Sequence, residues 1–275
     1  MGVETESFSA SVKNRRKRLS LPKLIRFVRY FSNWPEVWSA YRNRQPLPAF
    51  QVRGGIILAH GVGDDPLYLF REIFERREYI GGGFYTPKPE HVVVDVGANN
   101  GFFAMYLRWR APGIRVYCFE PGADALRRLR ENIALNRCGA SVTAYPYAIA
   151  DLNGTGSLLQ QTESMRRSLA IGSGEITGGD RVETITLARA LELCGPGRIN
   201  LLKIDIEGGE IELVSGAEPK TWARVDRVVA EIHERKRPGA GRIFSAALAA
   251  AGFRQLETIW PPSNDGCQIM RASRL

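Results

Sequence analysis

The chain has 275 residues, 44% hydrophobic and 24% charged, with 12 Phe, 9 Tyr and 5 Trp. Such a composition suits one large α/β core with an N-terminal extension, and it excludes global disorder. The net charge of +9 is unevenly placed: residues 1–30 hold eight Lys/Arg against Glu4 and Glu6, so the remaining body is nearly balanced and no nucleic-acid partner is expected.

Residues 1–20 form a polar, basic arm, expected to be disordered. It can meet phosphates, anionic lipid or an acidic partner, or remain a solvated tail. From Leu21, apolar Leu21, Leu24, Ile25, Val28 and Phe31 alternate with Lys23, Arg26 and Arg29, which predicts an amphipathic helix, followed after Pro35 by the aromatic stretch EVWSAYRN. Covering the protein's own core is the commonest fate of such a helix; a membrane surface or a dimer contact are the others. Phe50–Gly61 reads as a hairpin turning at Gly54-Gly55, and Asp65–Ile80 as a helix with an Asp N-cap and a Gly81–Gly83 stop.

Beyond Val92, short apolar strands alternate with helical segments, the signature of a doubly wound α/β sheet. Strands are predicted at His91–Val96, Arg115–Glu120, Ser141–Tyr147, Leu201–Ile206, Arg227–His233, Phe253–Ile259 and Gly266–Arg271. Helices are predicted near Phe102–Arg110, Ala123–Asn136, Leu187–Cys194, Glu210–Val214 and Gly241–Ala251. Asp151–Asp180, rich in Gly, Ser, Thr and Gln, reads as a long irregular insertion, either a flap over a site or a plain solvent loop. The expected division is a basic arm over 1–20, a helical and hairpin lead-in over 21–90, and the sheet domain over 91–275.

Cys118, Cys138, Cys194 and Cys267 show no CxxC pair and no metal-ligand spacing, so they read as reduced structural thiols. No apolar run approaches the ~18 residues of a membrane span, and no secretory h-region follows the basic stretch. The expectation is a cytoplasmic protein, with at most weak peripheral membrane contact through the arm. Nothing in the sequence specifies an oligomeric state.

The most informative segment is VVVDVGANNG, Val92 to Gly101. An apolar strand ends in Asp95, and Gly97-Ala98-Asn99-Asn100-Gly101 turns into a helix. Gly97 and Gly101 suit a turn that brings backbone close to a ligand and helix close to strand. A dinucleotide fingerprint would need glycine where Asn99 stands, and Asp95 would repel pyrophosphate. The carboxylate is better matched to a ligand carrying ammonium and sulfonium charges, which describes S-adenosylmethionine. Twenty-five residues on, the second strand ends in Glu120, placed to accept both ribose hydroxyls.

With LLKIDIEGGEIELVSGA (Leu201 to Ala217) the pattern becomes specific, because DVGANNG, FEP, KIDIEGGE and EIHE in this order resemble the FkbM methyltransferase family over roughly Phe50 to Phe253. The resemblance implies a class I methyltransferase fold, a seven-stranded sheet with the last strand antiparallel. It also implies methyl transfer, commonly to a hydroxyl of a sugar, polyketide or other natural product, and in some relatives to nitrogen in peptides. By the family's motif, Asp95, Gly97, Ala98, Asn99, Gly101 and Glu120 would line the cofactor site and Pro121 would shape the loop by the ribose. For adenine, backbone around Ala148 or the side chain of Asp151 is expected.

Methyl transfer is an in-line displacement, helped by removing the acceptor's proton. In KIDIEGGE, Lys203, Asp205 and Glu207 are expected on one face, with Asp205 beside the cofactor methyl or positioning the acceptor; a purely structural Lys203–Asp205 pair is the alternative. Glu207 and Glu210 either act with it or start the next helix. Glu231 and His233 are expected together at a strand end, with His233 the best general-base candidate or else a strand-end cap, while His60 and His91 read as structural. A divalent ion such as magnesium, held by Asp205, Glu231 and perhaps Glu207, would turn these acids from bases into ligands.

An O-methyltransferase acting on a small molecule is the leading expectation and a peptide N-methyltransferase the alternative. A nucleic-acid methyltransferase is disfavoured, since no Pro-Cys nucleophile and no [DN]PPY-like loop is present. A non-catalytic scaffold that keeps the cofactor fold is the reading from another class.

Overall fold

The computed structural model describes residues 21–61, 65–160, 167–170, 179–261 and 266–274, so the expected basic arm lies outside the described residues. Leu21–Tyr30 (α1) and Trp34–Asn43 (α2) are helices, but α1 does not bury the predicted stripe. Phe27 and Phe31 are buried, whereas Leu21 and Ile25 are 66% and 57% exposed. Aromatic packing sets this rotation: Phe27 meets the edges of Trp38 and Tyr41 at ring-centroid distances of 5.8 and 5.6 Å.

The hairpin is present as β1 (Phe50–Val52) and β2 (Ile56–Leu58), with Gly54 and Gly55 both at positive φ in the turn. The helix expected over Asp65–Ile80 begins as α3 (Pro66–Phe70), capped by the Asp65 carboxylate, which accepts from the Tyr68 N–H at 3.0 Å. It then widens into a π-helical segment, Arg71–Arg76, and ends at left-handed Arg77 rather than at the glycines. Glu72 and Tyr79 are thereby buried.

The following strands are β3 (Val92–Val96), β4 (Arg115–Phe119), β5 (Val142–Tyr145), β6 (Tyr147–Ala150), β7 (Gly154–Gln160), β8 (Arg167–Ala170) and β9 (Asp180–Thr186). They continue with β10 (Leu201–Ile204), β11 (Arg227–Ile232), β12 (Gln255–Ile259) and β13 (Gln268–Ser273). Seven of them make one sheet in the order β12-β13-β11-β10-β3-β4-β5. All run parallel except β13, which is antiparallel to both its neighbours. Its helices are α4 (Phe102–Arg110), α5 (Ala123–Leu135), α6 (Leu187–Leu193), α7 (Glu210–Gly216), the short α8 (Pro219–Trp222) and α9 (Ala240–Ala250).

Two further expectations needed correction. The predicted third strand is two strands, because Pro146 has no N–H to continue the ladder: β5 stays in the main sheet and β6 leaves it. The predicted irregular insertion contributes β7 and β8 to a second sheet, β6-β9-β7-β8, whose other two strands flank it; residues 161–166 and 171–178 lie outside the described residues.

Alternation along β3 divides the interior. Val92, Val94 and Val96 join the core beneath α6, α7 and α9, whereas Val93 joins the aromatic core built by the lead-in, α4 and α5. Two asparagines, the buried Asn132 on α5 and the half-buried Asn136 just after it, fasten the hairpin to this second core. Asn132 bonds the N–H and C=O of Ala59 at 2.7 and 3.0 Å and also donates to the carbonyl of Asn100 at 2.8 Å. Asn136 bonds the N–H and C=O of Ile57 at 2.8 and 2.7 Å. Each amide side chain does for β2 what a neighbouring strand would do. All four cysteines are buried, and no disulfide joins them among the described residues. No helix among those residues is long and apolar enough to cross a membrane.

Candidate active site

The chain runs outward through β3, β4 and β5 and returns to β10 on the other side of β3. That reversal leaves a crevice at the carboxyl ends of the strands, the usual ligand position in open α/β sheets. A cleft of about 950 Å³ opens there, of a size suited to a small-molecule ligand.

One half of the cleft is walled by the turn after β3 and the end of β4. Gly97, Ala98, Asn99, Glu120, Pro121 and Ala148 of the expected cofactor set line it, together with Ile149 and Ala150 on β6 and Leu158 on β7. Glu120 is held by two backbone donors: Asn99 N–H to Oε2 and Gly122 N–H to Oε1, both at 2.8 Å. These bonds fix the carboxylate, whose residue lines the cleft. Asn99 has a left-handed backbone at φ 50, and its Oδ1 accepts from the Asn100 N–H at 2.8 Å. An acceptor pair for ribose hydroxyls beside a small apolar wall for a base fits an adenosyl group.

Two predicted cofactor residues do not reach the cleft, and a third position is settled differently. Asp95 is wholly buried and pairs with Lys203 at 3.1 Å, its register partner on β10. Gly101 serves helix packing: a Cβ there would come 2.4 Å from Leu129 of α5. Asp151 is exposed and does not line the cleft. Gly97 has a steric reason of its own, since a Cβ would stand 1.7 Å from the carbonyl oxygen of Asp205.

The other half of the cleft carries the charge. Lys203 pairs with Asp205 at 3.6 Å, donates to the Gly97 carbonyl at 3.3 Å and lies over the Tyr79 ring at 5.0 Å. Burial opposes its charge, but Asp95 and Asp205 outweigh that and hold it firmly protonated. Lys203, Asp205 and Glu207 all line the cleft, although alternation along a strand carries only the first of them there. β10 ends at Ile204, and Glu207 takes a left-handed backbone at φ 58 that turns it toward His233. Lys236 fixes it there, bonding its carboxylate at 3.0 Å and its carbonyl at 2.7 Å.

His233, read as a general base or a strand-end cap, does not line the cleft. The ring is buried off the cleft, with Nε2 3.1 Å from Glu207 and Nδ1 3.0 Å from Glu210. Burial opposes the imidazolium, but hydrogen bonds with Cys267, Glu207 and Glu210 outweigh it and drive the pKa far upward. Two carboxylates thus flank the ring and favour its charged form. Glu210 in turn accepts from the Gly208 N–H at 2.9 Å, bracing the loop.

This arrangement also bears on a divalent ion. Among the described residues Asp205, Glu207 and His233 bring ligand atoms within 4.8 Å of one another, but Asp205 is paired with Lys203 and His233 is held by Glu210 as well. We assign no metal ligand here. His60 and His91 are structural as expected, contacting the Pro48 carbonyl and the Tyr85 hydroxyl at 3.1 and 2.9 Å.

The lead-in supplies residues that sequence reasoning missed. Tyr68, Leu69, Glu72, Ile73 and Tyr79 all line the cleft, opposite Glu231. Tyr79 Oη bonds Glu72 at 2.7 Å and Glu231 at 3.1 Å. Glu72 stood in a segment read only as a charged helix; the one available signal was a glutamate on the turn that also carries Ile73 and Phe74, both buried.

With β13 antiparallel between β11 and β12, the sheet has the strand order of class I methyltransferases, and the chain is an S-adenosylmethionine-dependent methyltransferase. It belongs to the FkbM family: the model described as "Methyltransferase FkbM domain" matches residues 95–255. The 31-O-demethyl-FK506 methyltransferase FkbM of Streptomyces tacrolimicus is 30% identical over 212 residues, 67% of this chain and 81% of that protein. The 2-O-methyltransferase NoeI of Sinorhizobium fredii is 27% identical over 207 residues, 68% of this chain and 82% of that one. The crystal structure of methyltransferase FkbM from Methylobacillus flagellatus KT superposes with a TM-score of 0.49 at 14% identity, covering 73% of this chain and 47% of the other.

Proposed function

We propose that this enzyme methylates a hydroxyl oxygen of a small molecule, a sugar, a polyketide or a related natural product. The observation that carries the reading is the carboxylate-lined half of the cleft, where Asp205, Glu231 and Glu72 stand beside the end of β10. A hydroxyl must lose its proton as it is alkylated, and carboxylates in a sheltered cleft are the groups suited to receive it. The names of two relatives, a 31-O-demethyl-FK506 methyltransferase and a 2-O-methyltransferase, support oxygen as the acceptor atom.

In this reading the Gly97–Asn99 turn, Glu120, Pro121 and the Ala148 wall hold the cofactor, which supplies an electrophilic methyl group when bound. Glu120 takes the ribose hydroxyls, and Asp205 stands on the boundary between cofactor and acceptor. Glu231 accepts the acceptor's proton, and Glu207, on the cleft wall, is steadied by His233 and Lys236. Tyr68, Leu69 and Ile73 form the apolar side of the acceptor pocket and exclude water.

The test is incubation of the full chain with deuteriomethyl-labelled S-adenosylmethionine and a panel of methyl glycosides, uronic acids, polyketide alcohols and short peptides, read by mass spectrometry. Labelled methyl ethers are the expected product. Label found only on peptide nitrogen would replace this reading with the N-methyl one.

A further inference from the structure

Tyr79 Oη lies 2.7 Å from Glu72 Oε1, 3.1 Å from Glu231 Oε2 and 3.3 Å from Asp205 Oδ2. A phenol has one proton and can donate to one acceptor. The remaining contacts are attractive only if one carboxyl brings a proton of its own.

The surrounding charges do not remove that requirement. Lys203 is the cation nearest Asp205, and it is shared with Asp95. His233 stands 3.9 Å from Glu231, but Glu207 and Glu210 hold it on both ring nitrogens. Glu78 raises the negative potential at Glu72 and is itself paired with Arg76. Burial, then the neighbouring carboxylates Asp205 and Glu78, push Glu72 up to about 7 against the pull of Tyr79 and Lys203. Burial, then Asp205 and Glu72, push Glu231 up to about 8. Such a group titrates as a unit, near physiological pH.

All four residues line the cleft that also holds the Gly97–Asn99 turn and Glu120. We infer that the Glu72–Tyr79–Glu231–Asp205 cluster holds a proton in the ligand-free protein and releases it when a cationic ligand enters, so that its ionisation distinguishes S-adenosylmethionine from S-adenosylhomocysteine. The two ligands share their adenosyl and amino-acid parts and differ in the methyl group and in the charge on sulfur, sulfonium in one and neutral thioether in the other. A positive charge in a sheltered cleft favours the carboxylate form; the O–H bond of one carboxyl breaks and its proton passes to solvent. After the methyl group has gone, the sulfur is neutral, the cluster takes up a proton again, and the spent ligand loses its advantage. The inference rests on the reading that the cofactor occupies this cleft.

Calorimetric titration of the full chain at about pH 7.5, in two buffers of different ionisation enthalpy, counts the protons exchanged with each ligand. S-adenosylmethionine is expected to release more than S-adenosylhomocysteine, by up to about one proton. By linkage, the ratio of their affinities then rises with pH by up to about tenfold per unit. Glu231→Gln and Glu72→Gln should each shrink the difference. Equal proton counts for the two ligands in the parent protein would overturn the inference, as would a difference unchanged in both variants. Absence of heat with either ligand would instead bring down the assignment of the cofactor to this cleft, and the inference with it.

Discussion

Tyr79 and Glu231 are 152 positions apart in the chain, yet the tyrosine hydroxyl lies 3.1 Å from the glutamate carboxylate. The contact joins the lead-in to the end of β11, so the segment before β3 completes the wall of the cleft. Its consequences can be measured.

The first concerns pH and stability. Glu72 and Glu231 are raised from an ordinary 4.5 to about 7 and about 8 in the folded protein. Their contribution is therefore complete below about pH 4.5 and is lost as pH rises through about 7 and 8. His233, raised from 6.5, acts in the same sense: its contribution is complete below 6.5 and declines above it. The ligand-free protein should become easier to unfold as pH rises from about 6 to 8, by about 1.4 kcal/mol per pH unit for each full proton involved. Urea midpoints across that range would show it, and Glu231→Gln should flatten the slope; a parent protein whose midpoint climbs over this interval would contradict the assignment.

Glu120 offers a direct test of the cofactor half. Replacing it with alanine removes the acceptor for the Asn99 and Gly122 N–H groups as well as for the ribose. Loss of charge-assisted hydrogen bonds of this kind costs about 1.5–3 kcal/mol, so S-adenosylmethionine should bind about 10- to 100-fold more weakly by calorimetry. Parent-like affinity would place the sugar elsewhere.

Gly97→Ala should harm the fold before it harms binding. The added carbon would meet the Asp205 carbonyl at 1.7 Å on a backbone at φ 76. Overpacking and left-handed strain each cost about 1–3 kcal/mol, so the denaturation midpoint should fall markedly. Alanine at the exposed Gly55, where no atom lies within 4 Å, carries only the strain of φ 94 and serves as the comparison.

Asn132→Ala should loosen the lead-in. It leaves the buried N–H and C=O of Ala59 and the carbonyl of Asn100 without their side-chain partner. Each buried polar group deprived in this way costs about 1–3 kcal/mol. Hydrogen exchange should quicken at Ile57 to Ala59 more than in β3 or β10; uniform exchange changes would show that the side chain holds no particular segment.

The sequence by itself determined the sheet domain, the order of its motifs and the family they resemble. Val92–Val96 followed by a glycine turn and a helix, and a strand ending in Glu120, are patterns of a few neighbouring residues, and short-range chemistry suffices to form them. The charged half of the cleft was legible only as a set of candidates. Asp205 and Glu207 do reach the cleft and His233 does not, a division that alternation along a strand could not give because it says nothing about where the strand stops. Only the tertiary structure decided that β10 ends at Ile204, that Glu207 turns back to a buried imidazolium, and that α1 is rotated by its aromatic contacts. It alone brought Glu72 and Tyr79 to Glu231. Such meetings depend on how helices and sheet pack across more than a hundred residues, and burial then sets the charge of each group, a property that no local pattern encodes.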